Sequence, residues 1–252
     1  MAIDITVLPL SFRRGGADHT IFPVLICPGG EYILVDGGYE GFLPLLEQAA
    51  GKYNISLSSI TGLIITHHDI DHMGCAHEIV KNFPSIKIYT SAIEVPYVSG
   101  QKKSLRLQQA EDIFPDLPEE YKADALEFQR LLQSMKPVVV NHIISENGEL
   151  DFLKGVFSVH TPGHMPGHIS LYIPETKTLV AADALVIENG ELEIANPSFT
   201  LDIKAAIGSV KKIAGLKIEK LICYHGGMME TGIDSKLRGL LKKYEMIAEG
   251  QQ

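Results

Sequence analysis

The sequence predicts an α/β layered sandwich, and three features predict it. Short apolar runs rich in β-branched residues recur along the chain, many separated by turn residues, so they read as strands, several buried on both faces. Segments with helical apolar periodicity are interspersed in each half, an order that lays helices over the outside of packed sheets. The chain has 252 residues, 45% of them hydrophobic and 21% charged, enough to bury a full core, and one domain spanning residues 1–252 is expected.

In chain order the strand-like runs are residues 3–8, 21–27, 32–35, 63–66, 86–89, 138–143, 156–161, 169–173, 179–182 and 221–224. Helical periodicity occupies residues 42–52, 72–82, 119–135, 202–213 and 234–248. Glu188-Asn189-Gly190-Glu191 carries the Asn-Gly signal of a tight hairpin. Residues 94–136 stand apart: Lys102-Lys103, Pro115, Pro118 and a long charged helical pattern, without a strand-like run, predict a helical insertion between two halves. Such an insertion either caps an active site or covers apolar surface as a solvated hairpin.

A formal net charge of −9 argues against a nucleic-acid backbone as partner, because phosphate binding asks for a basic surface. Cys27, Cys75 and Cys223 are too few and too scattered for a disulfide framework and read as buried, reduced thiols. The start Met1-Ala2-Ile3-Asp4 lacks a secretory pattern, and no apolar run approaches a membrane span, so a cytoplasmic chain without membrane partner is expected. Its partner is expected to be a small-molecule substrate; the sequence leaves oligomeric state open, a homodimer included.

The densest chemistry lies in Thr66-His67-His68-Asp69-Ile70-Asp71-His72, directly after the apolar run Gly62-Leu63-Ile64-Ile65. His67 and Asp69 lie two apart on an extended chain end and can point to one side, while Asp71 and His72 come from the turn into the next helix. Imidazole nitrogens and carboxylate oxygens together suit zinc, iron or manganese, and burying four such groups is costly unless cations compensate them. A polar loop with an aspartate capping the helix explains one carboxylate but not the histidines. Downstream, Thr161-Pro162-Gly163-His164-Met165-Pro166-Gly167-His168, Ala181-Ala182-Asp183 and Cys223-Tyr224-His225-Gly226-Gly227 each place a further candidate ligand at a strand end.

With Asp36 in Leu34-Val35-Asp36-Gly37-Gly38, these landmarks stand in the order and approximate spacing of the metallo-β-lactamase superfamily, which the chain resembles over nearly its whole length. The resemblance implies a four-layer αββα sandwich and two divalent metal ions in a cleft between the sheet halves. One ion would be held by His67, Asp69 and His164, the other by Asp71, His72 and His225, with Asp183 bridging them. Asp36 would orient a ligand histidine. A bridging hydroxide would be the nucleophile, and Asp71 would carry a proton to the leaving group.

The chain departs from the usual His-x-His-x-Asp-His pattern by carrying Asp69 at the second ligand. That lowers the site's charge by one unit, and it favours iron or manganese more than usual against the family's zinc. Hydrolysis of an ester, lactone or thioester is the main expectation. A non-haem diiron oxidoreductase, a phosphodiesterase and a non-catalytic metal-containing sensor are the alternatives. Acyl-homoserine lactonases place a tyrosine three residues after the bridging aspartate, where this chain has Val186. His68 is expected to pack away from the ligands and His168 to support them. His19, Arg13 and Arg14 lie in a connection that can form a flap over the cleft, and His77 and His142 are read as structural.

Overall fold

Alternate residues of the buried strands face opposite apolar layers, and this sets the architecture. In the strand around Leu34 the side chain of Leu34 joins one core cluster, with Leu25, Leu63 and Ile88, while Ile33 and Val35 join another, with Ile26, Ile64, Leu171 and Ile222. In the second half Leu179 and Leu221 enter a third cluster with Val210 and Leu237, while Val180 and Ile222 face the middle one. Three apolar layers between four layers of structure give helix, sheet, sheet and helix. The structure is a computed structural model that describes residues 3–249; residues 1–2 and 250–252 of the expected domain lie outside the described residues.

The first half runs β1 (Asp4–Val7), β2 (Leu10–Arg14), β3 (Ala17–Ile21), β4 (Val24–Cys27), β5 (Tyr32–Val35), α1 (Leu43–Gly51), β6 (Ile60–Ile64), α2 (Ile70–Met73), α3 (Ala76–Asn82) and β7 (Lys87–Ser91). The insertion supplies α4 (Val95–Val98), α5 (Leu105–Ile113) and α6 (Glu119–Gln133), and β8 (His142–Ile144) closes the first sheet in the order β1-β4-β5-β6-β7-β8. The second half runs β9 (Asn147–Leu150), β10 (Leu153–His160), β11 (Ile169–Ile173), β12 (Thr178–Ala182), β13 (Val186–Glu188), β14 (Glu191–Glu193), α7 (Ile203–Ala214), β15 (Lys220–Cys223), β16 (Gly227–Met229) and α8 (Ile233–Glu249). Its sheet order is β16-β15-β12-β11-β10-β9.

The expected αββα sandwich and the helical insertion are both present. The hairpin signal is also met: β13 and β14 pair through Asn189 and Gly190, both in the left-handed region. Three expectations shift. The helix over 72–82 is broken into α2 and α3 at Gly74, where an added Cβ would lie 2.8 Å from the Glu40 backbone nitrogen. The run 21–27 is interrupted by Pro23, so β3 pairs with β2 in a separate hairpin instead of continuing into the sheet. The strand at 138–143 moves to His142–Ile144. No helix among the described residues is long and apolar enough to cross a membrane.

Candidate metal centre

Five strand ends converge at the seam between the sheets. Asp36 follows β5 in the left-handed region (φ 58°), held there as its N–H donates to the Ile64 carbonyl at 2.9 Å. Its Oδ1 accepts the Thr66 N–H at 2.9 Å, and its Oδ2 accepts the Thr66 hydroxyl and His72 Nδ1–H, each at 2.8 Å. Because the single Thr66 hydroxyl proton goes to Asp36, Thr66 Oγ1 is left to accept from His67 Nδ1 at 3.1 Å. One carboxylate thereby orients both rings, presenting Nε2 of His67 and His72 to the same space.

Asp183 is aimed from the opposite sheet by a bulge. The β12–β15 register shifts between Val180 and Ala182, and Ala182 adopts φ 47°, a backbone conformation that side chains other than glycine rarely take. His164 is set by Gly163, whose φ of 138° and contact with Ala206 leave no room for a side chain. His225 stands two residues after β15, and its carbonyl accepts the Ile187 N–H at 3.0 Å.

The resulting distances bring all seven expected residues together. Asp69 Oδ2 lies 3.4 Å from His67 Nε2 and 2.8 Å from His164 Nε2. Asp71 Oδ2 lies 3.1 Å from His225 Nε2 and 3.9 Å from His72 Nε2. Asp183 reaches both groups, with Oδ1 3.4 Å from His72 Nε2 and Oδ2 at 3.5 Å from His225 and 3.6 Å from His164. The triads His67–Asp69–His164, His67–His72–Asp183 and Asp71–His72–His225 can each hold an ion.

The chemistry of these atoms fits a cation. His67 Nε2, His72 Nε2 and Asp183 Oδ1 are buried without a hydrogen-bond partner, as is His164 Nδ1. A buried polar atom left unpaired costs about 1–3 kcal/mol, and three of them facing one space suit a bound cation. Burial, followed by the neighbouring His72, pushes His67 down and keeps it a neutral lone-pair donor. Burial disfavours charge on Asp183, but His225 and His72 outweigh it and hold the carboxyl well below its usual range.

Around this centre the expectations for the remaining residues resolve. His168 is fully buried and supports Asp183: its Nε2 accepts the Asp183 N–H at 3.0 Å while Nδ1 meets the Thr161 hydroxyl at 2.8 Å. His68 turns away from the ligands, as expected, but it is a fully buried anchor. Its Nδ1 pairs with Glu94, its Nε2 accepts the Leu105 N–H at 3.2 Å, and its ring stacks on Tyr97. Cys27, Cys75 and Cys223 are free and buried. Arg14 and His19 come from the β2–β3 hairpin to line the cleft, whereas Arg13 does not.

Two site residues carry no motif and escape sequence reasoning: Glu94, which also accepts the Gly167 N–H at 3.1 Å, and Arg106, whose guanidinium faces Asp69. Burial raises the Asp69 carboxyl, but Arg106, then His164 and His67, hold it well below its usual range. The guanidinium returns the unit of positive charge that the aspartate removed. The charge argument favouring iron or manganese therefore loses its basis. The one available signal was Asp69 itself, because a carboxylate introduced among buried ligands asks for a cation nearby.

A cleft of about 700 Å³ opens over these groups, walled by Tyr39, Phe128, Val186 and Phe199. A family model described as "Metallo-beta-lactamase superfamily" matches residues 18–225. The chain belongs to the metallo-beta-lactamase superfamily. This superfamily member is 28% identical over 208 residues to "Probable metallo-hydrolase YflN" of Bacillus subtilis (strain 168), covering 77% of this chain and 75% of that protein. It is 26% identical over 208 residues to a hydroxyacylglutathione hydrolase of Xylella fastidiosa (strain M23), covering 82% of this chain and 59% of that protein. The crystal structure of a metallo-beta-lactamase family protein from Thermus thermophilus superposes with TM-score 0.74 at 19% identity, covering 98% of this chain and 81% of that one. Membership makes this metallo-beta-lactamase superfamily chain a metal-dependent hydrolase by class, and its His and Asp groups suit divalent metal.

Proposed function

We propose that the chain hydrolyses an ester, lactone or thioester bond in a small molecule, with His67, Asp69, Asp71, His72, His164, Asp183 and His225 as ligands for two divalent ions. The observation that carries this reading is the set of buried, unpartnered atoms His67 Nε2, His72 Nε2 and Asp183 Oδ1 in one space. Divalent ions bound there supply an acidified water and an electrostatic clamp for charge developing on an attacked carbonyl.

The chain's own groups do the rest. Asp36 and Thr66 fix the ring orientations of His67 and His72, and His168 holds the backbone of Asp183. Asp71 carries the proton to the leaving group: its side chain is 16% exposed, against 8% for Asp69 and 6% for Asp183, so it is the most open of the three aspartates lining the cleft. The cleft volume and its aromatic and aliphatic walls suit a small acyl substrate. The Xylella fastidiosa relative's name supports a thioester among the candidates. Val186 lines the cleft where acyl-homoserine lactonases place a tyrosine, which disfavours close lactonase specificity, and Tyr39 is the cleft's own phenol. Three buried free thiols suit a reducing compartment and support a cytoplasmic location.

Metal analysis of protein purified without chelator, followed by a panel of esters, lactones and thioesters with zinc, manganese and iron, tests the proposal. Hydrolysis of at least one class, abolished by chelation and restored by an ion, is expected. A metal-loaded protein inert across the panel would sink it.

A further inference from the structure

The carboxylate at position 69 brings a cation of its own. Arg106, on α5, is 3% exposed and grips both oxygens of Asp69: Nε donates to Oδ1 at 3.0 Å and Nη2 to Oδ2 at 2.7 Å. The same Nη2 lies 3.2 Å from His164 Nε2, and Nη1 donates to Gln109 Oε1 at 2.6 Å. The guanidinium stacks toward Phe199, with its carbon 5.3 Å from the ring centre. Every arm of the fork is therefore engaged, and one arm points at two of the three ligand atoms of a triad that can hold an ion.

The other half of the site differs. Asp71–His225, His72–Asp183 and His225–Asp183 are separated by 3.1, 3.4 and 3.5 Å, and among the described residues no arginine or lysine pairs with Asp71 or Asp183. Around Asp69, by contrast, His164 Nε2 and Asp69 Oδ2 lie 2.8 Å apart with the guanidinium beside both. Arginine cannot shed its charge, so an ion entering the His67–Asp69–His164 triad meets a permanent neighbouring cation. It must draw Asp69 out of a bidentate pair, and close charge pairs of this kind are costly to break when buried.

Resting on the metal-dependent reading, the geometry points to two unequal ion sites governed by Arg106. The first ion takes Asp71, His72 and His225 with Asp183. Arg106 stands in for the second at Asp69 and His164, while His67 Nε2 stays unpartnered, and that ion enters only by displacing the guanidinium from Asp69. Placing this arginine on the insertion ties the second site to how the insertion is seated.

The test uses the full chain, stripped with chelator, with zinc titrated by calorimetry and manganese followed by electron paramagnetic resonance. The wild type should bind two ions in separate steps, the second weaker by about tenfold or more, with an uncoupled manganese signal at one equivalent. Arg106→Gln removes a neighbouring positive charge, so it should tighten the second step by about tenfold and bring a spin-coupled pair at lower manganese. Arg106→Lys, which keeps the charge without the fork, should fall between. Two ions of equal affinity in the wild type would overturn the inference without touching the hydrolase reading. So would a weaker second step in Arg106→Gln, which would make the arginine a support that orients Asp69. Absence of any ion binding would remove both. Equal affinities in the wild-type titration would overturn the inference even if a variant fails to fold.

Discussion

His168 accepts the backbone N–H of Asp183 on one ring nitrogen, at 3.0 Å, and meets the Thr161 hydroxyl with the other. One side chain thus fixes the backbone that delivers an aspartate lying within 3.6 Å of His72, His225 and His164. His168→Phe keeps the ring but leaves the Asp183 N–H unpaired, and ion affinity should fall by about 10- to 100-fold. Competition with a chromophoric chelator measures it; affinity equal to wild type would mean that Asp183 is positioned by its bulge alone.

Asp183 itself reaches His72, His225 and His164. Asp183→Ala should lower bound metal and abolish hydrolysis together. Full metal stoichiometry in the purified variant contradicts the bridging role.

Metal binding should be coupled to pH through His72. Burial disfavours charge on this ring, but Asp183, Asp36 and Asp71 outweigh burial and hold its pKa well above the ordinary histidine value. These carboxylates favour a proton on His72 in the metal-free protein, and that proton must leave before Nε2 can bind an ion. Since the free form holds more protons than the bound form, affinity rises with pH until the raised value is passed, by up to about tenfold per unit from this group. Calorimetry in buffers of different ionisation heat reads the proton release. A pH-independent affinity would contradict it.

Glu94 is fully buried and joins three places at once: His68 by ring and backbone, and Gly167 by its N–H. Glu94→Ala removes one partner of a buried polar cluster and should destabilise the protein by about 3–5 kcal/mol, read as a lower denaturant midpoint. A loss under about 1 kcal/mol would show the anchor to be dispensable.

Leu171 is fully buried in the middle apolar layer. Leu171→Ala should cost about 2–5 kcal/mol in chemical unfolding while leaving the activity per folded molecule intact. A fall in kcat without a fall in stability would mean the layer transmits to the site.

Most of the layer order was legible in the sequence because period-two burial and helical periodicity are local signals, as in Leu34 facing one layer while Ile33 and Val35 face another. The convergence of His and Asp side chains was legible because these residue types, clustered at strand ends, have few other uses. Arg106 and Glu94 were not, because each acts through partners distant in the chain, 37 positions for Arg106–Asp69 and 26 for Glu94–His68. Pairing across such distances leaves no periodicity. The β2–β3 hairpin escaped for another reason: its strands are largely exposed and polar, so no apolar run announces them.

Tyr224 follows β15, in the second sheet, yet its hydroxyl donates to the Asp71 carbonyl at 2.5 Å and its ring lies against His72, 3.9 Å between centres. The two halves of the site are thus stitched to each other by the protein alone. Preorganisation of this kind means that the ordering cost around Asp71 and His72 is met during folding, so an ion arriving there has little of it left to meet. Chelation should then take away chemistry while the near-ultraviolet signature of packed aromatics survives.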